Sequence, residues 1–156
     1  MKRRTLSVLF VCTGNICRSP TAEAVARKIA EDRGKAIVFD SAGTGDWHDG
    51  ETPDSRAVKA AAARGYDLSG ITARAVTEDD FTAHDHIVAL DQSHVKWLIA
   101  RRAALRLPEK RISRLMDWSI GLANRDVPDP FYGEDKDFEA ALDLIEKGCS
   151  GLVARV

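Results

Sequence analysis

The chain has 156 residues, 44% of them apolar and 30% charged, with a formal net charge of −1. That length suits one domain whose core takes roughly two-thirds of the unfolded chain's surface out of water, and the balance excludes disorder and membrane burial. The near-neutral charge gives no electrostatic footprint for nucleic acid, and no apolar run approaches the ~20 residues of a membrane-spanning helix. The basic opening MKRRTLSVLFVC lacks both the apolar length and the cleavage site of a secretion signal, so a cytoplasmic protein is expected. Three cysteines, Cys12, Cys17 and Cys149, are an odd number in such a chain and argue against a disulfide scaffold.

In chain order, Leu6 to Val11 is short, β-branched and apolar on both faces, as a strand buried between two layers should be. Ser19-Pro20 reads as an N-cap with proline at the first helical position, and Ala22, Val25, Ala26 and Ile29 follow at helical spacing up to Gly34. Ile37 to Phe39 gives a second strand. A second helix starts at Thr52-Pro53 and carries Ala57, Val58, Ala61 and Ala62 before Gly65. His86 to Leu90 is a third strand, Ser93 caps a helix running towards Arg106, and Arg111 to Leu115 is a weaker fourth strand. Arg101, Arg102 and Arg106 read as a solvated face of that helix. Phe138, Ala141, Leu142, Ile145, Cys149 and Leu152 line one face of a last helix, whose end is weakened by Gly148 and Gly151. Alternating strands and helices imply a parallel sheet with helices on both faces and right-handed crossovers. Such sheets bind ligands at the carboxyl ends of their strands, which places the loop after Val11 at the expected site.

That loop, Cys12 to Arg18, leaves a strand and enters a helix N-terminus, where free amides and the helix dipole favour an anion. Gly14 and Asn15 accept positive φ and let successive amides turn inward as a nest. Arg18 adds a planar fork for two oxygens of a phosphate. The same field favours a thiolate at Cys12, and a thiolate beneath a bound phosphate is a nucleophile aimed at phosphorus. No Gly-Lys-Ser/Thr follows, so this is not a nucleotide-binding loop of the Walker type. Attack on a phosphate ester also needs an acid for the leaving oxygen, and Asp129, fixed between two prolines in Val127-Pro-Asp-Pro130, can supply it.

"VCTGNICRSP", followed far downstream by "DPFYG", resembles the low-molecular-weight protein tyrosine phosphatases. The resemblance runs through "DSAGTGDWHDG", "RAVKAAAARGYDL" and "ARAVTEDDF". It implies one domain over residues 1–156, a three-layer α/β structure in which a four-stranded parallel sheet carries helices on both faces in the doubly wound, flavodoxin-like manner. By resemblance, Cys12 forms a phosphocysteine, Arg18 clamps the phosphoryl oxygens, Ser19 donates to the Cys12 sulfur, and Asp129 acts as acid and then as base. Thr13, Gly14, Asn15, Ile16 and Cys17 belong to the phosphate-binding loop. Cys17 matches a second loop cysteine that pairs with Cys12 under oxidation. Trp47, Phe131 and Tyr132 match the aromatic walls of the substrate crevice. Ser41 and Asp91 match groups that support the loop, whereas Ile71 and His94 replace the histidine and asparagine found in many members.

The chemistry implied needs no metal or cofactor. His84 and His86, two apart on one strand face, lack a third ligand. The implied partners are phosphotyrosine proteins, among them a bacterial tyrosine kinase, with phosphate or other oxyanions in the loop. Phosphoarginine phosphatases resemble "GNTCRS" instead, and Ile16 in place of that threonine suits a phenyl ring better than a guanidinium. Arsenate reductases relay oxidation through two further cysteines, which are absent between Cys17 and Cys149. A binding module would have no need of Cys12, Arg18 and Asp129 together. The reactive form requires Cys12 as thiolate and Asp129 protonated, so a bell-shaped rate profile with an acidic optimum is expected.

Overall fold

The computed structural model describes residues 5–156. In order they form β1 (Leu6–Cys12), α1 (Arg18–Asp32), β2 (Ile37–Gly43), α2 (Ser55–Ala63), α3 (Asp80–Ala83), β3 (His86–Ala89), α4 (Gln92–Ala104), β4 (Arg111–Arg114), a 3-10 turn (Leu115–Trp118) and α5 (Asp135–Arg155). The four strands make one parallel sheet in the order β2-β1-β3-β4. The order reverses between β1 and β3, so β1 ends at the switch point where doubly wound sheets leave a crevice. Cys12 is the last residue of β1 and pairs with Gly43 at the end of β2.

Alternation along β1 explains the two-sided burial. Val8, Phe10 and Cys12 join Val25 and Ala26 of α1 and Leu142, Ile145 and Leu152 of α5 in one core. Leu9 and Val11 face the other way, onto Leu98 of α4 and Phe81 of α3. A third cluster places Cys17 and Ala24 against Ala57 and Ala61 of α2, with Leu68 and Phe138. Each fully buried Leu, Ile or Phe side chain contributes about 1.5–3 kcal/mol, so β1 and the loop that follows it are anchored from both faces.

Several element ends differ from the sequence reading, each for a local reason. Helix α1 begins at Arg18 with Cys17 at its N-cap, because the Ser19 hydroxyl is turned to the Cys12 sulfur and leaves the helix end uncapped. Asp54 caps α2 by accepting from the Arg56 N–H, so that helix begins at Ser55 rather than at Thr52-Pro53. Asp91, not Ser93, caps α4 through the His94 N–H. The short α3 was not foreseen. Helix α5 continues to Arg155 through Gly148 and Gly151, since a Cβ at Gly148 would lie 2.6 Å from Leu115 Cγ and one at Gly151 would lie 2.0 Å from the Trp118 carbonyl. Its two glycines therefore mark close approach to the 3-10 turn, not fraying. Arg101 and Arg106 are exposed as expected, while Arg102 is half-buried and donates to the Leu107 carbonyl.

Candidate active site

The loop from Cys12 to Arg18 is shaped by what takes its carbonyls. Thr44 N–H donates to the Cys12 carbonyl at 2.9 Å, Gly45 N–H to that of Thr13 at 3.3 Å, and Asp54 N–H to that of Ile16 at 2.8 Å. Thr21 Oγ1 donates to the Cys17 carbonyl at 2.7 Å. Four of the loop's carbonyls are thus held by groups outside it, which fixes its path. Asn15 supplies the turn at φ 58°. Gly14 does not adopt positive φ, contrary to expectation. Its small size matters instead, because a Cβ there would lie 2.8 Å from His48 Cδ2.

Asn15 and Ser19 are fully buried and lock the loop from behind. Asn15 Oδ1 accepts from the Arg74 N–H at 3.0 Å, and its Nδ2 donates to Ser19 Oγ at 2.7 Å. The single Ser19 proton has two acceptors in reach, the Cys12 sulfur at 3.0 Å and the Ala42 carbonyl at 3.5 Å. A thiolate at Cys12 has no proton of its own, so in that form it is the acceptor from Ser19. Arg74 itself is fixed by ion pairs to Asp80 and Asp40. Sequence reading missed this residue, since a backbone N–H aimed at a loop leaves no trace in residue type.

Arg18, 4% exposed, lies over the loop. Its Nη1 donates to Asp91 Oδ2 at 2.8 Å and to the Val127 carbonyl at 2.9 Å. That uses both Nη1 protons and leaves Nε and Nη2 as a fork for an oxyanion. Asp91 resists ionisation through burial, but the Ser93 hydroxyl and Arg18 outweigh this and hold its carboxyl below the usual range. Ser41, expected to support the loop, instead donates to the buried Glu23 carboxylate at 2.7 Å. Arg27, one turn on from Glu23, completes that pair. Ile71 packs nearby, buried and without a polar role.

Asp129 reaches the cleft from the segment before α5. Val127 anchors it, giving its N–H to the Leu90 carbonyl beside β3 and its carbonyl to Arg18. The Asp129 carboxylate is partly exposed, 3.7 Å from Arg18 Nη2, and accepts from the Phe131 N–H at 3.1 Å. Arg56 of α2 holds the following turn by donating to the Phe131 and Gly133 carbonyls. Its side chain also lies over the rings of Phe131 and Phe138, a second residue that motif reading did not find.

Cys12, Arg18 and Asp129 share a cleft of about 360 Å³ with Thr13, Gly14, Ile16 and Cys17. Trp47, Phe131 and Tyr132 form its outer walls. Phe131 and Tyr132 meet edge to face, with centroids 4.9 Å apart. His48 joins the wall and pairs with Glu51; its place beside Trp47 was the only available signal. The Cys17 thiol is pushed up to about 12, by burial first and then by Asp54, Cys12 and Asp129, so it stays protonated while Cys12 has the donor network. Cys149 is in the core, where burial raises its thiol further.

His84 and His86 part company: His84 contacts Ser7 Oγ and Asp80, and His86 packs edge-on to Trp118. Among the described residues there is no cluster of three or more metal-ligating side chains, and no helix is long and apolar enough to cross a membrane.

A switch-point loop ending in a buried arginine thus brings a thiol, a guanidinium and a carboxylate around one cleft. The family model for low molecular weight phosphotyrosine protein phosphatases matches residues 7–156, and the chain belongs to that family. A low molecular weight protein-tyrosine-phosphatase of Streptomyces coelicolor is 43% identical over 97% of this chain and 94% of its own. A solved protein tyrosine phosphatase of Entamoeba histolytica, with Hepes in its active site, superposes with a TM-score of 0.88 at 36% identity, covering 97% of this chain and 96% of that one. The structure of the YwlE arginine phosphatase, with a phosphorylated active-site serine, superposes at 0.85 with 27% identity over 96% and 95% of the two chains.

Proposed function

We propose that this chain is a protein tyrosine phosphatase, acting as a single domain over residues 1–156 and hydrolysing phosphotyrosine through a phosphocysteine on Cys12. Family membership supports the class of enzyme, and the observation that carries the mechanism is the hydrogen-bonded chain Arg74 N–H, Asn15, Ser19, Cys12 Sγ, which ends in a donor once Cys12 is a thiolate. A sulfur that receives the last donor of such a chain is stabilised as thiolate both as nucleophile and as leaving group. Backbone amides of Thr13, Gly14, Asn15, Ile16 and Cys17 and the Arg18 fork hold the phosphoryl oxygens, more tightly as charge gathers on them in the transition state. Asp129 gives its proton to the tyrosine oxygen and takes one from water in the second step. Trp47, Phe131 and Tyr132 accept the phenyl ring, and Ile16 favours it over a guanidinium. Cys17 is the thiol that captures an oxidised Cys12 as a reversible disulfide. The substrates are phosphotyrosine proteins, with a bacterial tyrosine kinase as a fitting one, in the cytoplasm.

Hydrolysis rates on phosphotyrosine and phosphoarginine substrates, measured for the wild type and Cys12→Ser, test this reading. Phosphotyrosine turnover that vanishes in the variant supports it. Preference for phosphoarginine would overturn the specificity, and full activity of Cys12→Ser would overturn the mechanism.

A further inference from the structure

His94 is buried, 3% exposed, on the first turn of α4. Its Nε2 lies 2.8 Å from Oγ1 of Thr13, the residue that follows Cys12. Its Nδ1 has no aligned hydrogen bond but faces Asp91 Oδ1 at 3.3 Å. The other oxygen of Asp91 holds Arg18. One carboxylate thus reaches the last residue of the phosphate loop directly and its second residue through an imidazole.

Charge decides where the protons sit. Burial disfavours imidazolium; Asp91 on its own helix favours it, Arg18 of α1 opposes it, and Asp129 and Asp126 of the loop before α5 favour it, with a net lowering in favour of the neutral ring. The helix N-terminus acts in the same direction as burial. A neutral imidazole has one N–H and one bare nitrogen. A bare Nδ1 would set its lone pair against the Asp91 carboxylate, so the proton belongs on Nδ1. Nε2 is then the acceptor, and the Thr13 hydroxyl donates to it. Thr13, exposed and lining the cleft with Asp129, is left with acceptor capacity only. Such an oxygen has nothing to offer phosphoryl oxygens, which are acceptors themselves. It suits a donor, and the donor that enters this cleft during turnover is water.

We infer that Asp91, His94 and Thr13 form a water-positioning relay for hydrolysis of the phosphocysteine, an inference that rests on the mechanism proposed above. In that step the water oxygen bonds to phosphorus as the S–P bond breaks, and the bonding pair leaves with the Cys12 sulfur as thiolate. One water proton passes to the Asp129 carboxylate. The other stays on the oxygen that becomes part of phosphate and is donated in a hydrogen bond to Thr13 Oγ1. Departure of the tyrosine oxygen in the first step involves no water and does not use the Thr13 hydroxyl. Thr13 touches the reacting water and is catalytic; His94 acts through it and is a positioning residue.

Rapid-quench kinetics with p-nitrophenyl phosphate measure formation and breakdown of the phosphocysteine separately. Thr13→Val is expected to slow breakdown roughly tenfold, the worth of one hydrogen bond, with formation within about twofold of wild type, so that kcat falls and kcat/KM holds. Thr13→Ser keeps the hydroxyl and His94→Gln keeps an acceptor, and both recover most of the breakdown rate, whereas His94→Ala does not. Unchanged breakdown in Thr13→Val, or formation and breakdown falling together, overturns the relay. The Thr13 pair decides this even if His94→Ala does not fold. Wild-type turnover with no phosphocysteine would instead overturn the parent mechanism, and the relay with it.

Discussion

The loop from Cys12 to Arg18 and the side chains of Trp47 and Tyr132 border the same cleft but are held in opposite ways. Along the loop, the Cys12, Thr13, Ile16 and Cys17 carbonyls and the Asn15, Arg18 and Ser19 side chains all have named partners. At the rim, Trp47 is 69% and Tyr132 93% exposed, and Tyr132 leans on Phe131 by ring contact alone among the interactions identified. The difference follows from what each must do. On the proposed function, transition-state stabilisation requires donors already in place before charge develops, whereas a rim that meets protein substrates gains from exposed aromatic side chains.

Removing the fork is the most direct way to break the loop side of this comparison. Arg18→Ala is expected to lower kcat/KM by about 10²–10³ or more, the cost of losing preorganised oxyanion donors, while thermal unfolding shows the chain still folded. An activity near wild type would mean that the guanidinium only braces Asp91 and Val127. A subtler break leaves every functional side chain in place. In Gly43→Ala the new Cβ would lie 2.7 Å from the Thr13 carbonyl and 3.2 Å from the Asn15 nitrogen, both backbone, so the loop must shift. Stability should fall by about 1–3 kcal/mol with roughly tenfold lower kcat; a variant that keeps wild-type kcat would show that loop geometry tolerates displacement.

Acid should loosen the loop's support before it affects the rim. Burial opposes ionisation of Asp80, but His84, Arg74 and the Thr77 N–H outweigh it and hold the carboxyl well below the usual range. Because the folded value is depressed, its contribution to stability is complete above the unfolded value of ~3.9 and is lost as pH falls through the folded one. Urea midpoints measured from pH 7 to pH 3 should therefore drop more steeply for wild type than for Asp80→Asn. Parallel curves would remove Asp80, and with it the clamp on Arg74, from the account. The smallest effect belongs to the rim. Trp47→Ala should raise KM for phosphotyrosine peptides by about three- to tenfold, the worth of one aromatic contact, with kcat and the melting temperature unchanged. A collapse of kcat would make Trp47 part of the rigid machinery after all.

Periodicity and motif spacing carried the architecture and the grouping of side chains after β1. Alternating strand and helix patterns determine a parallel sheet, and "CTGNICRS" at a strand end determines a thiol, an anion nest and an arginine within one turn. These are local facts, written in neighbouring residues. Helix starts differ where another residue or another partner intervenes: Ser19 lies against the Cys12 sulfur, and Asp54 and Asp91 cap where Thr52 and Ser93 were expected. The supporting groups lay beyond reach for a further reason. Arg74 acts on Asn15 through its backbone N–H, 59 positions away, and His94 meets Thr13 across 81. The sequence determined which residue types stand along the loop after β1, because their spacing is local. Only the tertiary structure decided what holds them, because hydrogen bonds between distant segments depend on where the sheet brings the chain together.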